Sequence, residues 1–225
     1  MGQWIDLHSA RGTVQAWQAL PTGTPRGGLV VIQEIFGVNP HIRSVADRYA
    51  EAGYAVLAPA FFDLVERGIE LPYDKSSHER GRELVNTIGL DAALDVVSTA
   101  ALELASAGKV ATVGYCWGGS VAFLSALKLG LPSISYYGAR NKPFLEALPA
   151  GSRTLAPVIF HFGEQDSSIP PEVVQLHRDK LVDAPVYTYP TGHAFNREVS
   201  PEIYDADSAQ LAWSRSLAFL AEHVG

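Results

Sequence analysis

Polar and apolar residues alternate at the start of the chain. Trp4, Ile5, Asp6, Leu7 and His8 lead to Gly12, and Thr13, Val14, Gln15, Ala16 and Trp17 lead away from it. A period of two on both arms predicts a hairpin with one exposed face. The pattern then changes to unbroken apolar runs at 28–32, 54–58, 110–113 and 157–160. Runs of this kind belong to strands covered on both faces. Shorter or more polar runs at 133–137 and 186–189 predict two more strands. Between them, helical spacing predicts helices at 41–52, behind the start signal Asn39-Pro40, and at 90–107, 120–129, 171–181 and 201–222. Strands alternating with helices of this length make right-handed βαβ units and a mostly parallel sheet. The expectation is one α/β domain over residues 1–225, with antiparallel strands at its N-terminal edge.

Composition narrows the class. A chain of 225 residues buries roughly 70% of its unfolded surface and needs no staples. There are 17 basic and 24 acidic residues, a formal net charge of −7. That balance argues against nucleic acid, whose phosphates require Lys and Arg. One cysteine, Cys116, forms no internal disulfide and no four-cysteine zinc site, so no metal is expected. No run nears the roughly 18 apolar residues of a membrane helix, and the first ten residues carry Asp6 and no apolar leader segment. A cytoplasmic protein, a monomer or dimer without membrane contact, is the expectation. No nucleotide loop is visible, and no cofactor is expected.

Ligands of such sheets bind beyond the carboxyl ends of the strands. After the 110–113 strand comes Gly114-Tyr115-Cys116-Trp117-Gly118-Gly119. This is the strand-to-helix turn G-x-S-x-G with cysteine in the serine place. Its glycines relieve the crowding where strand and helix meet. The helix N-terminus behind Cys116 favours a thiolate, and the Trp117 amide points where an oxyanion would form. A lone cysteine is also common as a buried core residue, but the two glycines and their place between strand and helix favour the nucleophile.

After the 157–160 strand comes Gly163-Glu164-Gln165-Asp166. Asp166 could orient a histidine, or cap the next helix, and Glu164 competes with it. After the 186–189 strand, His193 stands alone among seven histidines on a loop between a late strand and the last helix. The order Cys116, Asp166, His193 is the nucleophile–acid–base order of α/β-hydrolases. After the 28–32 strand comes Gln33-Glu34-Ile35-Phe36-Gly37. A backbone N–H of this loop, assigned to Ile35, would complete the oxyanion hole.

Together these residues resemble the dienelactone hydrolase family. Gln33 to Asn39, Gly114 to Gly119 and Gly192-His193-Ala194-Phe195-Asn196-Arg197 match its three signature blocks, and the resemblance covers nearly the whole chain. It implies an α/β-hydrolase fold and a Cys116-His193-Asp166 triad that opens an enol-lactone through a thioester. It implies that Glu34 holds the resting thiol and is displaced by substrate. It implies that Arg197 and Arg82, with Arg80 as the register alternative to Arg82, grip the substrate carboxylate. Tyr137 matches a pocket tyrosine. Two departures touch the pocket wall: the 62–89 stretch is short, and Asn86 stands where the family carries an aromatic residue. The rival functions are a broader carboxylesterase or thioesterase on the same triad, a non-catalytic binding protein on this scaffold and a redox-sensing cysteine.

Overall fold

The structure, a computed structural model, describes residues 2–225. Met1, at the head of the segment read for a leader, lies outside them. The chain divides into two compact units. The first runs to Thr112 and takes in Val224–Gly225, and the second is Val113–His223.

In the first unit, β1 (Gln3–Ser9) pairs antiparallel with β2 (Gly12–Ala19), Ile5 facing Ala16 across the ladder. This is the expected hairpin, and its alternation puts Leu7, Val14 and Ala16 inside. β2 pairs antiparallel with β4 (Ala55–Pro59), and β4 pairs parallel with β3 (Gly28–Ile32). Every residue of β3 and β4 is buried, as their unbroken apolar runs require. Helix α1 (Pro40–Glu51) starts where Asn39 Oδ1 accepts the Ile42 amide at 3.2 Å, with Pro40 behind the cap. It buries Ile42, Val45, Ala46 and Tyr49 at helical spacing.

Helix α2 (Lys75–Glu103) holds the predicted 90–107 helix up to Glu103 as its second part, and a 3-10 turn at Leu104–Ala107 takes up the rest. Its first part was not predicted from the spacing, although the family resemblance implies a helix there carrying Arg82. Gly89, at φ 71°, divides the two, a conformation that glycine adopts without a Cβ penalty.

The second unit holds β5 (Val110–Tyr115, with its first three residues in the first unit), then β6 (Ser133–Tyr136), β7 (Val158–Gly163) and β8 (Val186–Tyr189). β6 pairs parallel with β7, and β7 with β8. β5 and β7 outrun their predicted ends because Gly114-Tyr115 and His161-Phe162-Gly163 interrupt the apolar run but stay buried. Helix α3 (Trp117–Leu124) is wholly buried and closes in a π-helical turn at Ser125–Leu129. The short α4 (Lys142–Ala147) was not predicted. Helix α5 (Pro171–Lys180) starts at the predicted proline, and α6 (Ala206–His223) starts five residues later than predicted. Residues 201–203 form a turn on Ser200, and Asp205 Oδ1 then caps α6 by accepting the Ser208 amide at 2.8 Å. Among the described residues the architecture is the expected one: eight strands, mostly parallel, flanked by helices, with the antiparallel hairpin at the N-terminal edge.

Candidate active site

The turn between β5 and α3 is tight. A side chain at Gly114 would strike the Gly118 backbone, and one at Gly119 would strike the Tyr136 carbonyl. The Cys116 amide donates to that same carbonyl at 3.1 Å, which pins the turn to the end of β6. Cys116 itself has φ 55°, ψ −116°, and is half-buried. Only three described non-glycine residues have left-handed φ: Cys116, Tyr137 at 39° and Ala194 at 59°. Such strain, about 1–3 kcal/mol per residue, persists where the surrounding structure enforces it and gathers at functional sites. Here it falls on the predicted nucleophile, on the predicted pocket tyrosine and on the neighbour of the predicted base.

Two loops are laced together beyond β7 and β8. The Glu164 amide donates to the Tyr189 carbonyl at 2.8 Å, and the Gln165 amide to Thr191 at 2.9 Å. Gly163 lets them meet, since a side chain there would strike the backbone of Thr191 and Gly192. The lacing brings Asp166 Oδ2 to 2.6 Å from His193 Nδ1. The other carboxylate oxygen accepts the Ser168 amide at 2.8 Å, and the Asp166 side chain is fully buried. Glu164, the competing acid, is exposed and accepts from the Thr188 hydroxyl at 2.9 Å instead.

His193 also interacts electrostatically with Cys116. Asp166 occupies Nδ1, so Nε2 is left for the sulfur. Burial opposes a charge on this imidazole. The negative charge at Cys116, the hydrogen bonds to Asp166 and Cys116 and the Asp166 charge outweigh it, and the pKa rises to about 10. The Tyr137 ring lies 5.0 Å from the His193 ring and 5.5 Å from that of Phe195. Trp117 opens α3, in the turn whose N–H groups lack intrahelical acceptors. Arg197 is buried, its amide bound to the Ala194 carbonyl at 3.0 Å.

The remaining predicted residues lie in the first unit. Glu34 and Ile35 are buried in the loop after β3. Gln33 sets that loop, donating to the Glu34 carbonyl at 3.1 Å and accepting the Phe61 amide at 3.2 Å. Gly81 of α2 lies so close that a Cβ would meet the Ile35 carbonyl. Sequence reasoning missed both positioning residues. Each makes its contact with a segment distant along the chain, Gln33 with Phe61 and Gly81 with Ile35, and such closeness leaves no local signal. Arg80 is committed to Glu66 at 2.8 Å and Glu83 at 3.0 Å. Arg82 is exposed, and no described residue pairs with it.

An α/β fold with a cysteine turn, a histidine and an acid in this order defines an α/β-hydrolase. Residues 14–224 match the model of the dienelactone hydrolase family. The chain is 34% identical to a carboxymethylenebutenolidase of Pseudomonas putida, over 96% of this chain and 95% of that one. It is 32% identical to carboxymethylenebutenolidase 1 of Cupriavidus pinatubonensis, over 93% and 92%. The crystal structure of a candidate dienelactone hydrolase from Klebsiella pneumoniae superposes with a TM-score of 0.82 at 26% identity, covering 99% of this chain and 98% of that one. The chain belongs to the dienelactone hydrolase family, whose members are hydrolases of esters or lactones. No helix among the described residues is long and apolar enough to cross a membrane.

Proposed function

We propose that the protein hydrolyses an enol-lactone of the dienelactone type to a linear dicarboxylic acid such as maleylacetate, in the degradation of aromatic compounds. One observation carries this reading: Asp166 Oδ2 holds His193 Nδ1 at 2.6 Å, while Cys116 sits in a left-handed turn at the head of α3. Relatives named as carboxymethylenebutenolidases support the substrate class. The family match, over residues 14–224, runs through both units and supports reading residues 1–225 as one domain.

In this reading the Cys116 thiolate attacks the lactone carbonyl carbon. The amides of Trp117 and Ile35 stabilise the oxyanion, at about 3–4 kcal/mol per donor. The ring C–O bond breaks, and the enolate leaves with the His193 proton and becomes a ketone. The acyl group stays on sulfur as a thioester. Acylation removes the charge at Cys116, the largest cause that holds His193 protonated. The neutral imidazole, oriented by Asp166, then takes a proton from water, and the resulting hydroxide releases the acid and restores the thiolate. Glu34 holds the resting thiol, Arg197 and Arg82 bind the substrate carboxylate, and Tyr137 walls the pocket, as the family resemblance implies. Cys116→Ala is expected to abolish turnover with the circular dichroism spectrum intact. A folded variant that still hydrolyses lactone or ester at the wild-type rate rejects the mechanism.

A broader carboxylesterase or thioesterase is the second reading, favoured by exposed Asn86 in place of an aromatic wall. A panel of one dienelactone and neutral p-nitrophenyl acyl esters separates the two. Higher kcat/KM on the neutral esters favours the second.

A further inference from the structure

One cavity of the second unit lies away from the triad. It measures about 510 Å³ and lies against the first residues of β7 and β8, with α6 along its side. Asp166 and His193 follow the last residues of the same two strands. The length of β7, at roughly 3.3 Å per residue, separates the two places by about 16 Å. The volume falls within the range of small-molecule sites.

Its walls combine apolar surface with one uncommitted cation. Ile159 and Phe219 contribute buried apolar surface, and Leu155 stands at the rim with 72% of its surface exposed. Arg215 faces the same space from α6. Its guanidinium stacks 4.2 Å from the centre of the Tyr187 ring, and its Nη1 donates to the Tyr189 hydroxyl at 3.1 Å. Neither partner is an anion, and no described carboxylate pairs with Arg215. A half-buried guanidinium with unused N–H donors favours an anionic acceptor that brings its own apolar body. The other lining charges limit that anion. Arg153 is matched by Asp183 at 2.6 Å, and Glu222 adds a negative charge whose ion-pair partner, His223, lies 3.9 Å away. A second negative charge on the ligand would meet Glu222.

We propose that this cavity binds an aromatic monocarboxylate, its carboxylate on Arg215 and its ring between Phe219 and Leu155. The site is separate from the hydrolytic site and does not depend on the reading of the triad.

The test is a nuclear magnetic resonance titration of the full chain with 1-naphthoate, with benzene-1,2-dicarboxylate and benzylamine as charge controls. Saturable shifts of the Leu155, Tyr187 and Phe219 amides are expected with 1-naphthoate, and binding at least about tenfold weaker for the dianion and the cation. Arg215→Met keeps the apolar stem and should weaken binding at least tenfold, the scale of a lost charge-assisted hydrogen bond. Leu155→Asp changes an exposed rim residue and should weaken it too, which covers the case in which Arg215→Met disturbs the fold. Arg197→Ala should leave this binding unchanged. Absence of saturable shifts at these amides overturns the proposal. So does binding that survives both Arg215→Met and Leu155→Asp, or that is lost in Arg197→Ala. Hydrolysis by Arg215→Met is expected at the wild-type rate, so an inactive Cys116→Ala variant bears on the triad alone.

Discussion

At the scale of single residues, the candidate site rests on contacts that admit few substitutes. Asp166 does three things at once. It fixes the orientation of the His193 ring, it supports a charge there, and it caps its own loop through the Ser168 amide. Asn in its place keeps the shape and removes the charge. An amide nitrogen facing His193 Nδ1 would also favour the wrong tautomer. Asp166→Asn is therefore expected to lower kcat by about 10²–10⁴. The His193 titration, followed by its ring resonances, should move down from about 10, because two of the causes that raise it come from Asp166. Unchanged kcat with an unchanged titration would remove Asp166 from the site. The strain at Ala194 belongs to the same design. It turns the chain immediately after His193, so that Phe195 packs 4.9 Å from Tyr189 and fixes the loop from behind.

At the scale of elements, α2 is the part that sequence reasoning reached least well. The helix 90–107 was legible because Val96, Val97 and Ala100 recur at helical spacing. The segment before it was not, since its buried residues Ser77, Gly81, Leu84 and Val85 mix small, polar and apolar types. Strands β3 and β4 were readable almost to the residue, because burial on both faces leaves an unbroken apolar signal. The cysteine turn was legible for a similar reason, as its glycines are steric requirements. What the sequence did not carry was closeness between distant segments, such as Gly81 on the Ile35 carbonyl or Gly163 beneath Gly192. Gly81 gives a direct test. In an open helix Gly→Ala stabilises by about 1 kcal/mol. Here the new methyl group would strike the Ile35 carbonyl, and such overpacking costs about 1–3 kcal/mol. Gly81→Ala is expected to lower the melting temperature and, by moving the Ile35 loop, to lower kcat more than it raises KM. A stabilised variant with wild-type kcat would show that the loop yields freely.

At the scale of the whole molecule, the net charge of −7 conceals local arrangements that set how the protein responds to acid. His161 is completely buried between Tyr189, whose hydroxyl lies 2.7 Å from Nδ1, and Ser216, whose hydroxyl lies 3.3 Å from Nε2. Arg215 donates to that tyrosine and Ser216 donates to the Ala212 carbonyl, so the partner set assigns a neutral ring protonated at Nε2. His177 is likewise neutral. Its Nδ1 donates to the Val173 carbonyl at 2.8 Å, and its Nε2 accepts from Asn141 at 3.0 Å. Burial, with Arg215 nearby, lowers His161 to about 3. Burial also lowers His177 to about 4 against the pull of the Val173 carbonyl. Both are ordinary histidines near 6.5 when unfolded. Between pH 6.5 and the folded values the unfolded chain therefore binds more protons, and stability falls as pH falls. Each site contributes about 1.4 kcal/mol per pH unit once its unfolded form is fully charged. Both together give about 2–3 kcal/mol per unit, or a melting temperature lower by about 4–10 °C for each pH unit below 6. Both histidines lie in the second unit, so hydrogen exchange at pH 5 should quicken there before it quickens in the first. A melting temperature that stays flat from pH 6.5 to 4.5 would mean that these rings take up protons in place. His161→Gln removes one titrating group, so its acid slope should be about half that of the wild type even where its stability at pH 7 is lower. A slope equal to the wild type's would move the cause of acid sensitivity away from the Tyr189–His161–Ser216 chain.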